Sequence, residues 1–192
     1  MNTLDYYNEN AKKYFDNTIN IDMSKQYELF LKYVRRKGKI LDFGCGSGRD
    51  SLYFKNLGYQ VFPIDGSKEL CTLASEYTGL DVKCMNFLDL SDVEEYDGIW
   101  ACATLLHIDK KDLLKVLINL RNAIKRDGSI YVCFMNGYDE EEYKEDGRYF
   151  NDLTKESFNS LSSLSSLQIV DYLESEKIEP NKYWVNYILK RK

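Results

Sequence analysis

Apolar residues recur along this chain at two periods. From roughly Asp5 to Asp16, and again from Ser24 to Arg36, the spacing is helical, with Tyr27, Phe30, Leu31 and Val34 on one face of the second stretch. Lys39 to Phe43 is a short strand that ends in a glycine-rich loop. Ser47 to Leu57 is then a helix with Leu52, Phe54 and Leu57 as its buried stripe and Gly58 as its C-terminal cap. The alternation repeats: YQVFPID is a strand, SKELCTLASEYTG a helix with Leu70, Leu73 and Ala74 apolar and Gly79 at its end, and DVKCMNF a third strand. YDGIWACA is a fourth strand, KKDLLKVLINLRNAIKRDG a helix with Leu113, Leu117, Leu120 and Ile124 on one face, and SIYVCFM a fifth strand. Strands and helices of these lengths predict an α/β fold, a parallel sheet covered on both faces with right-handed connections.

The last part reads differently. NGYDEEEYKEDGRYFND is acidic and aromatic and fits neither period, and TKESFNSLSSLSS has the form of a capped short helix. LQIVDYLESE and NKYWVNYILKRK are strands separated only by a turn around Pro180. A parallel crossover needs a dozen or more residues, so these two pair antiparallel or lie close together. With no internal repeat and no linker, the 192 residues read as one domain.

Composition adds exclusions. Hydrophobic residues at 44% and charged residues at 30% are the balance of a globular chain that folds unaided. Net charge is -5 and Lys/Arg are interspersed with acids, apart from clusters at Lys32 to Lys39 and Lys190 to Lys192, which argues against a nucleic-acid partner held by phosphate contacts. No apolar run reaches the ~20 residues of a membrane span, and MNTLDYYNENAKKYF is too polar and acidic for a signal peptide, so the expected location is cytoplasmic with no membrane partner. Cys45, Cys71, Cys84, Cys102 and Cys133 are widely spaced without a C-x-x-C pair. They suggest neither a disulfide framework nor a zinc site, no metal is expected, and they read as small core residues.

The chemistry begins at ILDFGCGSGRD, Ile40 to Asp50. A glycine loop between the first strand and its helix exposes amides and a helix N-terminus at the carboxyl edge of the sheet, where a polar ligand group is favoured. The plainer alternative is that Gly44, Gly46 and Gly48 only permit a tight turn. Asp65, at the carboxyl end of the second strand, is placed to accept both hydrogen bonds of a ribose diol. Asn86 and Phe87, ending the third strand on the same edge, can meet a purine edge and face. The dinucleotide fingerprint would need a glycine where Arg49 stands, and no phosphate loop of the G-x-x-x-x-G-K-[ST] kind is present, so the expected ligand is a nucleoside without a phosphate chain.

LDFGCGSGRD, followed by FPIDGS, NFLDL, YDGIWACATLLHI and KRDGSIYVCF, resembles the class I S-adenosylmethionine-dependent methyltransferases over most of the chain, and in particular their small, tellurite-resistance-like members. The resemblance implies a Rossmann-like doubly wound seven-stranded sheet, mostly parallel with the last strand antiparallel, and S-adenosyl-L-methionine as cofactor. It divides the chain into N-terminal helices covering the site (1–37), a cofactor-binding core (38–135), a lid and helix (136–166) and a terminal strand pair (167–192). It implies that Gly44 and Gly46 let the backbone approach the cofactor, that Asp42 sits below the methionine moiety and organises the loop, and that Asp65 binds the ribose hydroxyls. Asn86 and the Phe87 amide would meet the adenine, and Ala101 would offer a carbonyl to the methionine amino group. Cys45, Gly66 and Ser67 complete the expected cofactor set, with Tyr14 closing the pocket; Tyr6 and Tyr7 are further aromatic candidates of the first helix, for which helix packing is the alternative.

A methyl on a sulfonium is already activated, so catalysis can come from holding the acceptor close and aligned, with a base only where the acceptor must lose a proton. His107, the only histidine, follows the fourth strand and is the candidate base, with a helix-start or packing role as the alternative. Cys102 could line the pocket, and the spacings promise no convergence of several thiols. Within the acidic stretch, which resembles the family's lid, Tyr149 and Arg148 are candidates for the apolar and anionic parts of a substrate, alongside Tyr7, while Trp184 and Tyr187 read as core. Prolines occur only at Pro63 and Pro180, so neither the N/D-P-P-Y/F route of DNA amino methylation nor the Pro-Cys route of cytosine C5 methylation is available. The expected acceptor is the O, N or S atom of a small molecule; a modified tRNA base and a non-catalytic cofactor-binding module are the alternatives.

Overall fold

The structure, a computed structural model, describes residues 2–136, 142–175 and 183–192. Its strands are β1 (Lys39–Phe43), β2 (Gln60–Asp65), β3 (Lys83–Cys84), β4 (Tyr96–Cys102), β5 (Ile124–Asn136), β6 (Glu142–Glu145), β7 (Arg148–Asn151), β8 (Leu167–Glu174) and β9 (Tyr183–Arg191). Its helices are α1 (Thr3–Glu9), α2 (Ala11–Thr18), α3 (Ser24–Leu31), α4 (Arg49–Asn56), α5 (Lys68–Thr78), α6 (Lys110–Ala123) and α7 (Lys155–Leu164). Seven strands form one sheet in the order β3-β2-β1-β4-β5-β9-β8, and β6 pairs with β7 in a separate hairpin. β1 to β5 run parallel, and β9 is antiparallel to both of its neighbours. This is the mostly parallel seven-stranded α/β sheet with an antiparallel last strand that was expected.

The near-continuous apolar runs of β4 and β5 follow from burial on both faces. Ile99, Ala101, Ile130, Val132 and Phe134 join one core with Leu113, Val116, Leu117 and Leu120 of α6 and Phe158 of α7. The alternate residues Trp100, Tyr131 and Cys133 join the opposite core with Tyr27 and Phe30 of α3 and Phe54 of α4. Trp100 and Tyr131 stack there with centroids 3.8 Å apart. With α3 and α4 on one face and α6 and α7 on the other, the carboxyl ends of β1, β2 and β4 are left to carry loops.

Several elements depart from the sequence pattern. The first helical stretch is two helices, because Asn10 leaves helical geometry and directs both its N–H and its side-chain amide to the Tyr6 carbonyl, capping α1. The second ends at Leu31, five residues short of Arg36, although Val34 stays buried. In α4 the buried residues are Asp50, Ser51 and Phe54, and Leu57 is exposed. The long helix ends at Ala123; Ile124 is already in β5, paired with Tyr96. The third strand keeps only two residues, because Asn86 accepts the Leu88 N–H and starts a 3-10 turn over Phe87–Asp89. The stretch that fitted neither period contains β6 and β7, joined through Asp146 and Gly147, both at positive φ. Residues 137–141 of that stretch, and the turn around Pro180, lie outside the described residues. Among the described residues no helix is long and apolar enough to cross a membrane.

Phe158 anchors α7 on the sheet: it is fully buried, its ring 4.9 Å from Phe134 and stacked on Tyr187 at 5.4 Å. Phe158→Ala leaves a cavity there and should cost about 3–5 kcal/mol of stability, read from the midpoint of urea unfolding at unchanged m-value.

Candidate active site

The loop after β1 is held from below and from the side. The N–H groups of Gly44 and Cys45 both donate to the Ile64 carbonyl at 2.9 Å, which docks the loop on β2. Gly44 has φ +84°, and a Cβ there would lie 2.4 Å from Thr104 Oγ1, which itself donates to the Phe43 carbonyl at 2.8 Å. No side chain fits at this position. Gly46, at φ +53°, lies directly beneath the ring of Tyr14.

Asp65 joins this loop to the next. Its Oδ2 accepts the Gly46 N–H and its Oδ1 accepts the Ser67 N–H, both at 2.9 Å. Burial pushes its carboxyl above the usual range while the backbone donors pull it back. The Gly66 N–H is a third backbone donor to this carboxylate, and its remaining lone-pair capacity is open to a ligand hydroxyl. Ser67 caps α5 and donates to Asn8 of α1, so its side chain serves the frame.

Two cavities open along this edge. The first, of about 240 Å³, is lined among others by Tyr7, Gly44, Asp65, Gly66, Asn86 and Phe87. The second, of about 400 Å³, is lined among others by Cys45, Arg49, Asp50, Cys133 and Trp184. Tyr14, Gly44, Cys102 and Ala103 line both. The structure thus brings Gly44, Gly46, Asp65, Gly66, Asn86, Phe87, Tyr7, Tyr14 and His107 to the first cavity and Cys45 to the second. Asp42, Ser67, Ala101, Arg148 and Tyr149 line neither. At the end of β4 the wall is Cys102 and Ala103, one and two residues beyond Ala101. The Asn86 amide oxygen is already engaged as the cap of its own turn.

Asp42 and Asp50 lie beneath the loop. Burial, with Asp50 nearby, pushes Asp42 well above the carboxylate range, and Ser51 Oγ donates to it at 2.5 Å. Asp50 accepts from Tyr27 Oη at 2.5 Å, from Trp100 Nε1 at 2.8 Å, and from Arg49 at 2.6 and 2.9 Å. It is therefore paired with the partly buried Arg49 guanidinium.

Above the first cavity runs a second polar chain. His107 Nδ1 lies 2.8 Å from the Tyr149 carbonyl, which only accepts, so Nδ1 carries the proton. Nε2 then accepts from Tyr7 Oη at 2.7 Å. Both ring nitrogens are engaged, and burial lowers His107 to about 4. Arg148 and Tyr149 brace this arrangement: the guanidinium lies between the rings of Tyr6 and Phe150, at 4.7 and 4.9 Å, and the Tyr149 N–H donates to Thr3 Oγ1. Sequence reading did not find Asn8, Thr104, Ala103, Cys133 or the Arg49–Asp50 pair, whose partners are distant or whose role is a backbone angle. Trp184 lines the second cavity, whereas Tyr187 is core. Among the described residues no group of three or more His, Cys, Asp or Glu side chains could hold a metal ion.

Residues 40–128 match the family model described as a methyltransferase domain. An uncharacterised methyltransferase of Staphylococcus carnosus is 23% identical over 181 residues, covering 90% of this chain and 86% of the relative. Among solved structures, the 1,6-didemethyltoxoflavin-N1-methyltransferase of Burkholderia thailandensis, with 1,6-didemethyltoxoflavin and S-adenosylhomocysteine bound, has a TM-score of 0.79 at 18% identity, covering 98% of this chain and 84% of that one. A TehB-like S-adenosylmethionine-dependent methyltransferase from Corynebacterium glutamicum has a TM-score of 0.77 at 19% identity, covering 97% and 98%. At such identities the structural likeness is one of fold, while the family match spans the glycine loop, Asp65, Asn86 and β4.

Because His107 is the only histidine, its titration can be read without assignment. The folded chain holds it neutral to about pH 4, whereas the unfolded chain protonates near the ordinary 6.5. The unfolded state therefore takes up the extra proton as pH falls through that window, and the fold loses up to about 3 kcal/mol across it. The imidazole Hε1 resonance should keep its neutral shift from pH 8 down to 5; a midpoint near 6.5 would show that the ring is not buried beneath the hairpin.

Proposed function

We propose that this chain, a class I S-adenosylmethionine-dependent methyltransferase, transfers the cofactor's methyl group to the O, N or S atom of a small molecule in the cytoplasm. The observation that carries this reading is the Asp65 carboxylate beside the bare Gly44–Gly46 backbone in the wall of one cavity. That combination fits a ribose diol attached to a group needing close main-chain approach. Asp65 would hold the ribose hydroxyls, Phe87 and Asn86 the adenine, and Gly44, Cys45 and Tyr14 the methionine end, toward the second cavity. In place of Ala101, Cys102 and Ala103 are assigned to the methionine side. When bound, the cofactor supplies an already activated methyl, and in-line displacement needs no protein nucleophile.

The chain's own contribution is enclosure and alignment. α1 and α2 bring Tyr7 and Tyr14 over the loop, and the β6–β7 hairpin holds His107 in place through Tyr149. With Nε2 engaged by Tyr7 and the ring held neutral, His107 is assigned to positioning Tyr7, and the acceptor's proton is left to solvent. Arg148 and Tyr149 are likewise assigned to closure of the site. An acceptor of small size is supported by the volume of the second cavity, and the small heterocycle bound in the Burkholderia enzyme supports the same class.

Calorimetry with S-adenosylhomocysteine should give a micromolar or tighter complex, NAD none, and Asp65→Ala should weaken binding at least about tenfold, the equivalent of 1.4 kcal/mol. Undiminished affinity in Asp65→Ala would remove the basis of the reading. A salt-sensitive complex with tRNA would instead favour the modified-base acceptor.

A further inference from the structure

All five cysteines are free, and two of them meet at the cavities. Cys102 ends β4 and Cys133 is its register partner on β5, with sulfurs 3.6 Å apart. Neighbouring strands lie ~4.8 Å apart, inside the ~4.4–6.8 Å Cα separation a disulfide spans. Closing to the ~2.05 Å bond requires the sulfurs to approach by about 1.5 Å. Both residues line the second cavity and Cys102 also lines the first, so the largely buried pair sits in the wall that a small solute in either space would meet.

The two thiols are not equivalent. The contact with Cys102, then Tyr131 and the Ala103 N–H that Cys133 Sγ accepts at 3.1 Å, lower the Cys133 thiol below its ordinary value against the opposing effect of burial. The same contact with Cys133, and then burial, pushes Cys102 up. Cys45 and Cys71 are both raised by burial, Cys71 to about 12. Cys133 therefore has the greater thiolate character and Cys102 stands beside it as a resolving thiol.

We propose that Cys102 and Cys133 form an oxidation site for small hydroperoxides, and that closing the pair to a disulfide weakens cofactor binding. Cys133 gives its proton to solvent and attacks the peroxide as the thiolate; an S–O bond forms, the O–O bond breaks, and the departing hydroxide takes a proton back from solvent and leaves as water. Cys102 sulfur then attacks the sulfenic sulfur, losing its proton as the S–S bond forms and the S–O bond breaks, and a second water leaves. Two thiols and one hydrogen peroxide give one disulfide and two waters, the peroxide taking both electrons. A dithiol reductant reverses the change. The effect on binding rests on the cofactor reading above. Cys102 and Ala103 form the wall between the cavities, Ala103 stands at φ +52°, and its N–H is held by the sulfur that oxidation engages.

The experiment treats reduced full-length protein with a slight excess of hydrogen peroxide, blocks remaining thiols by alkylation, and maps peptides by mass spectrometry. A linked pair joining Cys102 to Cys133, lighter by two hydrogens and released by dithiothreitol, is expected. S-adenosylhomocysteine should bind the oxidised protein at least about tenfold more weakly than the reduced protein. In Cys102→Ser and Cys133→Ser the linked pair is absent, and peroxide leaves each variant's own affinity unchanged. Single alkylation of both cysteines after peroxide, or a disulfide with undiminished affinity, would overturn the proposal. If reduced wild-type protein fails to bind S-adenosylhomocysteine, the proposed function fails, while the peptide map still decides whether the pair closes.

Discussion

The carboxyl edge of this sheet is organised around one side chain that accepts hydrogen bonds from two loops. Asp65 takes the Gly46 N–H on one oxygen and the Ser67 N–H on the other, so the loop after β1 and the loop after β2 are cross-linked through a single buried carboxylate. A buried carboxylate is tolerated only while donors surround it, and both of these come from backbone whose position the strands already set. The glycines follow from that arrangement. Gly46 has to turn its N–H inward at positive φ, and Gly44 has to pass Thr104 with no side chain. The carboxylate and the bare backbone are thereby left lining the same cavity.

Beneath the loop the polar demand is larger, and it is met by aromatic residues of distant elements. Asp50, in the first turn of α4, draws Tyr27 of α3 and Trp100 of β4 to its oxygens, while Arg49 supplies the balancing charge. These bonds hold α4 and α3 to the central strand at the point where the stacked Trp100 and Tyr131 fill the core. The helix whose first turn lines the second cavity is thus held by hydrogen bonds with direction as well as by non-directional apolar packing.

What could be read from sequence was what is local. β1, the glycine loop, α5 with Gly79 at its end, and Asp65 at a strand end are each specified within about ten residues of chain, and they were legible, whereas Ser67, read as a cofactor residue, is the cap of α5. Ile124 was not, because one residue satisfies both the four-residue step from Leu120 and the pairing of β5 with Tyr96; the sheet decides between them. The β6–β7 hairpin was hidden because its flanks are acidic and aromatic without alternation, although Asp146-Gly147 is a hairpin turn signal. His107 was found as a residue but not as a geometry: its partners Tyr7 and Tyr149 are 100 and 42 positions away, and only the fold shows that both ring nitrogens are in use. Cys102 and Cys133 are likewise 31 positions apart, and parallel register alone brings them into contact.

That parallel register and the His107 chain set the floor and the roof of the site. Its floor belongs to the sheet and cannot move without breaking strand pairing. Its roof, by contrast, is α1 and the hairpin, joined to each other and to the turn after β4 by the Tyr7–His107–Tyr149 sequence of hydrogen bonds and by Arg148 lying between Tyr6 and Phe150. Residues of α1 contribute to no buried apolar core, so these few polar and cation–π contacts carry much of its attachment. Such contacts are individually worth about 1 kcal/mol and are directional, which lets them release together once one partner rotates. Floor and roof are therefore held in different ways: the sheet by strand pairing and a continuous apolar core, α1 and the hairpin by a few directional contacts made above the glycine loop.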